Sequence, residues 1–174
     1  CLGDTALVFS NAVGPSGQVY SFDPVQDNLE VCNFNVAQFP LDNVTVFPAG
    51  LSHENVDAPP IRLNAYAPGF SSGNAAHNNM VVPLRSLDSL VKSGEIEGVD
   101  FIKLDIEGAE METLVGAKEA IDTFSPKMAL SLYHKPDDFF QIINYIKHFH
   151  QQYQLYLGHY TIHREETVLY CLPS

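Results

Sequence analysis

The chain has 174 residues, 45% of them hydrophobic, which suits one domain with a real core. Nine basic residues stand against 21 acidic ones, and a formal net charge of -12 repels nucleic acid and anionic membranes. No apolar run approaches the ~20 residues of a membrane span and no signal peptide is visible, so the sequence reads as a cytoplasmic protein acting on something neutral, cationic, or a small anion met by local donors.

Cys1-Leu-Gly-Asp-Thr5 reads as the end of a tight turn, with Asp4 and Thr5 opening a short helix over 5–11. A segment upstream of Cys1 is expected. Gly14-Pro-Ser-Gly17 is a turn, and Gln18–Phe22 is a strand ending at Asp23-Pro24. Asn28–Phe39 carries a helical apolar pattern through Leu29, Cys32 and Val36. The next strand, Asn43–Phe47, runs into Pro48-Ala-Gly-Leu-Ser52. Strand, helix, strand with short connections predicts a parallel sheet.

Residues 53–83 break this alternation. Ile61–Leu63 and Met80–Val82 have the composition of short paired strands, and Asn64–Asn79 reads as a long loop, either a lid or a plain surface excursion. Alternation resumes with a helix over 86–92 capped by Ser86. Phe101–Leu104 is expected to be a buried parallel strand, and the residues from Met111 to Ala120 a helix. Met128–Leu132 is another strand, ending in Tyr133-His134. Phe139, Ile142, Ile143, Ile146 and Phe149 then repeat at helical spacing, which predicts an amphipathic helix with an aromatic core stripe. Gln154–Leu157 and Val168–Leu172 should form a terminal antiparallel hairpin.

Three cysteines without C-x-x-C spacing, Cys1, Cys32 and Cys171, read as free thiols rather than disulfide or zinc ligands. Asn43-Val-Thr45 fits a glycosylation sequon but carries little weight.

The run Phe101-Ile-Lys-Leu-Asp-Ile-Glu-Gly-Ala-Glu110 carries the most information. An apolar strand delivers Asp105, Glu107 and Glu110 to its C-terminal end, where open α/β sheets bind ligands. Glu107 and Glu110 also fit the first turn of a helix, where negative charge complements the macrodipole. Asp105 closes the strand itself and is harder to explain that way. Asp23, Ala49 to Leu51, Asp105, Tyr133 and His134 all follow parallel strands and are expected along one sheet edge. An acidic residue ending the second strand of a nucleotide-binding unit typically accepts hydrogen bonds from ribose hydroxyls, and Gly3 suits the last glycine of a G-x-G-x-x-G turn. His134 is the leading base candidate, because its ordinary pKa suits proton transfer near neutrality; Asp105 could orient it. Capping the following helix is the competing role.

The segments Gly14–Pro24, Asn43–Ser52, Leu87–Leu90, Val99–Glu110, Leu114–Ala117 and Leu132–His134 resemble the FkbM-type methyltransferases, S-adenosylmethionine-dependent enzymes of the class I Rossmann-like fold. The resemblance runs from residue 1 to about residue 172, and Ile102–Glu110 is its most specific part. It implies a single methyltransferase domain over 1–174, a mostly parallel sheet with an antiparallel last strand, and a first strand lying before Cys1 and missing here. It further implies cofactor contacts from Gly3, Asp4 and Thr5 (methionine portion), Asp23 (ribose), Ala49, Gly50 and Leu51 (adenine), and Asp105 near the methyl group. Asp105 and His134 are then the catalytic pair, and the acceptor is a hydroxyl on a small metabolite or sugar. Metal-assisted transfer through Mg²⁺ on Asp105 with Glu107 or Glu110 is a competing expectation, as is a non-catalytic nucleotide- or partner-binding domain.

Overall fold

A computed structural model describes residues 3–39, 42–57, 60–64, 67–70, 79–163 and 165–174. In chain order the elements begin with α1 (Asp4–Val13), β1 (Val19–Phe22), α2 (Gln26–Ala37), β2 (Val44–Phe47) and β3 (Gly50–Leu51). Next come β4 (Pro60–Asn64), β5 (Ala67–Phe70), β6 (Asn79–Val81), β7 (Leu84–Arg85), α3 (Leu87–Ser93) and β8 (Phe101–Leu104). The remainder is α4 (Glu110–Val115), α5 (Lys118–Phe124), β9 (Lys127–Ser131), α6 (Asp138–Phe149), β10 (Tyr153–His159) and β11 (Thr167–Pro173). Backbone contacts group these into two compact units, one built mainly of residues 1–50 and the other mainly of residues 85–174.

In the first unit β1 and β2 pair in parallel, Val19 opposite Val44 and Phe22 opposite Phe47, whose rings stack at 4.7 Å. The strand-helix-strand pattern therefore forms as the sequence predicts. Asn43 locks the base of this ladder. Its carbonyl accepts from Val19 N–H, its amide donates to the Gly14 carbonyl at 2.8 Å, and its Oδ1 accepts from Ser10 Oγ. A buried amide so engaged is a structural fastener, not a glycosylation acceptor.

The second unit holds a four-stranded sheet in the order β10-β11-β9-β8. β8 and β9 are parallel, whereas β11 runs antiparallel to both β9 and β10. The expected terminal hairpin is thus present. Its core gathers Leu104, Leu114, Ile121, Met128, Leu130, Ile142, Ile146 and Leu169, each at most 2% exposed. Cys171 is buried here, and desolvation pushes its thiol up to about 12, which fits an inert core thiol. A further three-stranded sheet has the order β5-β4-β6, so the two strands expected around residues 61–63 and 80–82 do pair. Part of the expected 64–79 loop is strand β5; residues 65–66 and 71–78 lie outside the described residues.

Four expectations need correction. The parallel pairs β1–β2 and β8–β9 belong to separate hydrogen-bonded sheets, and antiparallel pairing is as prominent as parallel. β8 is not a buried strand: it ends the order of its sheet, and Phe101 is 46% exposed while Leu104 is buried. The single helix expected from Met111 breaks into α4 and α5 at Gly116-Ala117. A side chain at Gly116 would put Cβ 2.1 Å from the Ser52 carbonyl, so the chain backbone packs there directly. Asp88 then caps the new helix start, accepting from Glu119 N–H at 3.1 Å and Ala120 N–H at 2.8 Å. In α6 the core face is Ile142, Tyr145 and Ile146; Phe149, assigned to the stripe by spacing, is 48% exposed. The Ser86 cap of α3 forms as expected, with Ser89 N–H donating to its Oγ.

Candidate active site

The candidate residues are divided between the two units, Leu51 falling with Asp105 and His134 in the second. In the first, Asp23 follows β1, and its carboxylate accepts from Val25 N–H at 2.8 Å and from the Asn28 amide at 3.1 Å. These bonds close the turn into α2 and hold the carboxylate at the C-terminal end of a parallel strand. Gly3 is buried with φ 90°, and a Cβ there would lie 3.1 Å from Cys32 Sγ, so α1 begins in close contact with α2. Asp4 and Thr5 form the first turn of α1. Ala49 and Gly50 are both buried. A half-buried carboxylate at a strand end and small buried residues after the next strand fit the chemistry of a ribose diol and a flat base.

In the second unit, β8 ends at Leu104 and the chain turns sharply. Glu107 has φ 57° and Gly108 has φ 97°, a left-handed pair that folds the backbone back. Gly108 is favoured here by its φ, and an added Cβ would also lie 3.0 Å from Lys135 Cε. The reversal carries Glu110, the first residue of α4, into the interior at 0% exposure. Its Oε1 accepts from Ile106 N–H at 2.9 Å and from His134 Nδ1 at 2.7 Å. Its Oε2 is buried with no hydrogen-bond partner among the described residues.

Asp105 lies on the other side of His134. Its Oδ1 accepts from Ser131 Oγ at 3.0 Å and Tyr133 Oη at 2.8 Å, and its Oδ2 from Lys103 Nζ at 3.0 Å. Burial alone would raise the Asp105 pKa, but these donors and the Lys103 charge outweigh it and hold the carboxyl below its ordinary value. The Tyr133 phenol is pushed up by burial and by its bond to Asp105, so it stays a donor.

His134 has an 8% exposed side chain, and its Nε2 faces Asp105 Oδ1 at 3.6 Å and Glu107 Oε2 at 3.7 Å. Burial pulls its pKa down, but the Glu110 bond and the charges of Glu110, Glu107 and Asp105 more than reverse this, and the net shift is upward. The structure thus brings Asp105 and His134 together, as the sequence led us to expect, and corrects the partner. Glu110, not Asp105, holds the ring, because Asp105 is already engaged by three donors and stands beyond hydrogen-bond reach of Nε2. Glu110 is also no mere dipole complement, since its carboxylate is spent on His134 and the Ile106 amide. Glu107 lies in the turn before α4 rather than in its first turn. Tyr133 is expected at the strand end, but Ser131 and Lys103 are contributors that the sequence reading did not single out; their positions near the ends of β9 and β8 are the signal that could have found them. Among the described residues, no group of three or more His, Cys, Asp or Glu side chains is arranged to hold a metal ion.

The family model for the Methyltransferase FkbM domain matches residues 2–156. The hexuronic acid methyltransferase AglP of Haloferax volcanii is 30% identical over 112 residues, 60% of this chain and 43% of that protein. The structure of methyltransferase FkbM from Methylobacillus flagellatus superimposes with a TM-score of 0.78 at 25% identity, covering 98% of this chain and 40% of the other. SMU.1697c from Streptococcus mutans, solved in complex with SAH, shares the fold with a TM-score of 0.59 at 12% identity, covering 99% and 84%. The chain spans less than half the length of the first two relatives. No helix among the described residues is long and apolar enough to cross a membrane. The α/β fold matches class I methyltransferase structures, and the chain belongs to the FkbM methyltransferase family, whose cofactor is S-adenosylmethionine.

Proposed function

We propose that this chain carries out S-adenosylmethionine-dependent O-methylation of a sugar or small-metabolite hydroxyl, with Asp105 and His134 as the catalytic pair. The observation that carries the reading is His134 Nε2, turned toward Asp105 and Glu107 beyond the ends of β8 and β9 while Nδ1 is held by Glu110. A sugar acceptor is supported by the hexuronic acid methyltransferase relative.

When bound, the cofactor supplies an electrophilic methyl group. Asp23 would accept from its ribose hydroxyls, Ala49, Gly50 and Leu51 would flank the base, and Gly3, Asp4 and Thr5 would hold the methionine portion. Asp105, hydrogen-bonded by Lys103, Ser131 and Tyr133, is held in place to orient an acceptor hydroxyl. Unprotonated His134 Nε2 would take the acceptor hydroxyl proton, the methyl group passing from the sulfonium sulfur to the oxygen and the sulfur keeping the bonding pair as the neutral thioether S-adenosylhomocysteine. Positioning and proton removal are the contributions the chain itself can make.

A hydroxyl acceptor needs that base; a carboxylate acceptor, which a uronic acid would also offer, does not. Incubation with labelled S-adenosylmethionine and a panel of neutral sugars and uronic acids tests this. An alkali-stable methyl ether is expected, formed at a rate that falls at least about 100-fold in His134→Ala. An alkali-labile methyl ester formed equally well by His134→Ala would overturn the hydroxyl reading. Binding of the cofactor with no transfer to any acceptor would favour a non-catalytic binding domain instead. Asp23→Ala should weaken cofactor binding more than tenfold, since charge-assisted hydrogen bonds are worth about 1.5–3 kcal/mol; an unchanged dissociation constant by calorimetry removes its ribose role.

A further inference from the structure

The carboxylate of Glu110 reaches the catalytic cluster from beneath. It is completely buried, it is supplied by a helix rather than a strand end, and it makes the shortest contact of the His134 ring, 2.7 Å at Nδ1. Its other bond, from the Ile106 N–H at 2.9 Å, ties it to the turn that follows β8. A carboxylate accepts only, so a ring bonded to it through Nδ1 must place its proton there, and Nε2 becomes the nitrogen that can give or take one.

We infer that Glu110 is a positioning residue that fixes the orientation and tautomer of His134, leaving Nε2 as the working nitrogen; this rests on the reading of His134 as the base. Tyr133 closes the other side of the ring, with centroids 4.2 Å apart. The charged groups facing His134 come from three directions. Glu110 lies on α4, Asp105 and Glu107 on the turn after β8 with Lys103 bonded to Asp105, and Asp138 at the start of α6. Asp138 is itself buried and accepts from Lys135 N–H at 2.7 Å. Desolvation raises its carboxyl pKa, against the lowering effect of that bond, and the Glu110 charge raises it further. Of all these groups, only Glu110 is both uncompensated by a basic side chain and in direct hydrogen-bond contact with the ring. It therefore sets the protonation equilibrium of His134 more than Asp105 or Glu107 does.

The rate of methyl transfer as a function of pH tests this in wild type, Glu110→Gln and His134→Ala. In wild type, the rising limb should lie above the ordinary histidine value of 6.5, because the base works only once deprotonated. Glu110→Gln keeps the shape and removes the charge, so its limb should move to lower pH. Its plateau kcat should fall about 10- to 100-fold with little change in acceptor KM, the effect of a misplaced ring. A Glu110→Gln limb that coincides with wild type, while His134→Ala is inactive, overturns the role of Glu110 and leaves His134 standing. Undiminished rates in His134→Ala overturn the base itself. ¹⁵N NMR of the wild-type imidazole gives an answer even if Glu110→Gln misfolds: a neutral ring protonated at Nδ1 is expected, and one protonated at Nε2 overturns the inference.

Discussion

Two buried histidines of the second unit make the same bond and respond to it in opposite ways. His134 pairs with Glu110 at 2.7 Å, and His150 pairs with Asp122 at 2.9 Å, each through Nδ1. His150 is the more deeply buried, at 0% exposure, and its Nε2 has no partner among the described residues. Yet the pKa of His134 is raised and that of His150 is lowered. In both, desolvation is the largest single influence and pulls downward. At His134 three carboxylates overcome it, the nearest of them fully buried. At His150 a single carboxylate opposes it; Asp122 is 41% exposed and is shared with Lys118 at 2.6 Å, and the Lys118 charge also pushes His150 down. A carboxylate beside a histidine is therefore no evidence of a charged or catalytic ring. What matters is how many acids face it, how dry they are, and whether a cation already claims them.

The largest expected effect separates the two rings by activity. His134→Ala should lose about 10²–10⁴-fold in the rate of methyl transfer, the usual contribution of a positioned base, whereas His150→Ala should keep the wild-type rate per folded molecule. Comparable rate losses in both variants would show that neither is a base and that both act through the fold.

The next effect is on stability and reverses the ranking. His150 fills a sealed position between Tyr145 and Tyr153, so His150→Ala should cost roughly 2–5 kcal/mol, as buried large-to-small changes do. Urea unfolding should show a smaller loss for His134→Ala. A smaller loss at His150 would mean that its cavity collapses without penalty.

A subtler contrast lies in pH. His134 has a raised folded pKa, so its contribution is fully present below the unfolded value of 6.5 and fades as pH rises through the folded one. His150 has a lowered folded pKa; below 6.5 the unfolded ring takes up a proton that the folded ring refuses, and stability falls as pH falls. Between about pH 7 and pH 5, His150→Ala should therefore lose less stability than wild type and His134→Ala more. Parallel urea midpoints across that range in all three proteins would remove the contrast.

Lys118→Ala should have the smallest effect on stability, within about 1 kcal/mol for a partly exposed pair. It should still raise the His150 pKa in an NMR titration, since it removes the cation and leaves Asp122 to the ring. An unmoved titration would mean that burial alone governs His150.

The sequence was informative where the physics is local. The alternation that formed β1, α2 and β2, the hairpin of β10 and β11, the Ser86 cap, and the placement of Asp105 and His134 just past strands follow from short-range periodicity and turn chemistry. The family was legible from Ile102–Glu110 because that run combines a strand, a left-handed turn and a helix start within nine residues. Other features were not legible, because they depend on residues far apart in the chain. The break between α4 and α5 comes from Gly116 lying against Ser52, and the cap of α5 from Asp88. Helical spacing could propose Phe149 for the core, but only packing decided for Tyr145, whose hydroxyl reaches the Leu114 carbonyl.

What the sequence determined by itself was which groups are available: a carboxylate closing a strand, a histidine closing another, and two glutamates on either side of a glycine where a helix begins. Tertiary structure alone decided their assignment. The Glu107-Gly108 reversal turns Glu110 inward onto His134, while Lys103, Ser131 and Tyr133 occupy Asp105 first. Hydrogen-bond partners are chosen by competition among groups that the fold brings within about 3 Å, and no spacing along a chain records which competitors will arrive.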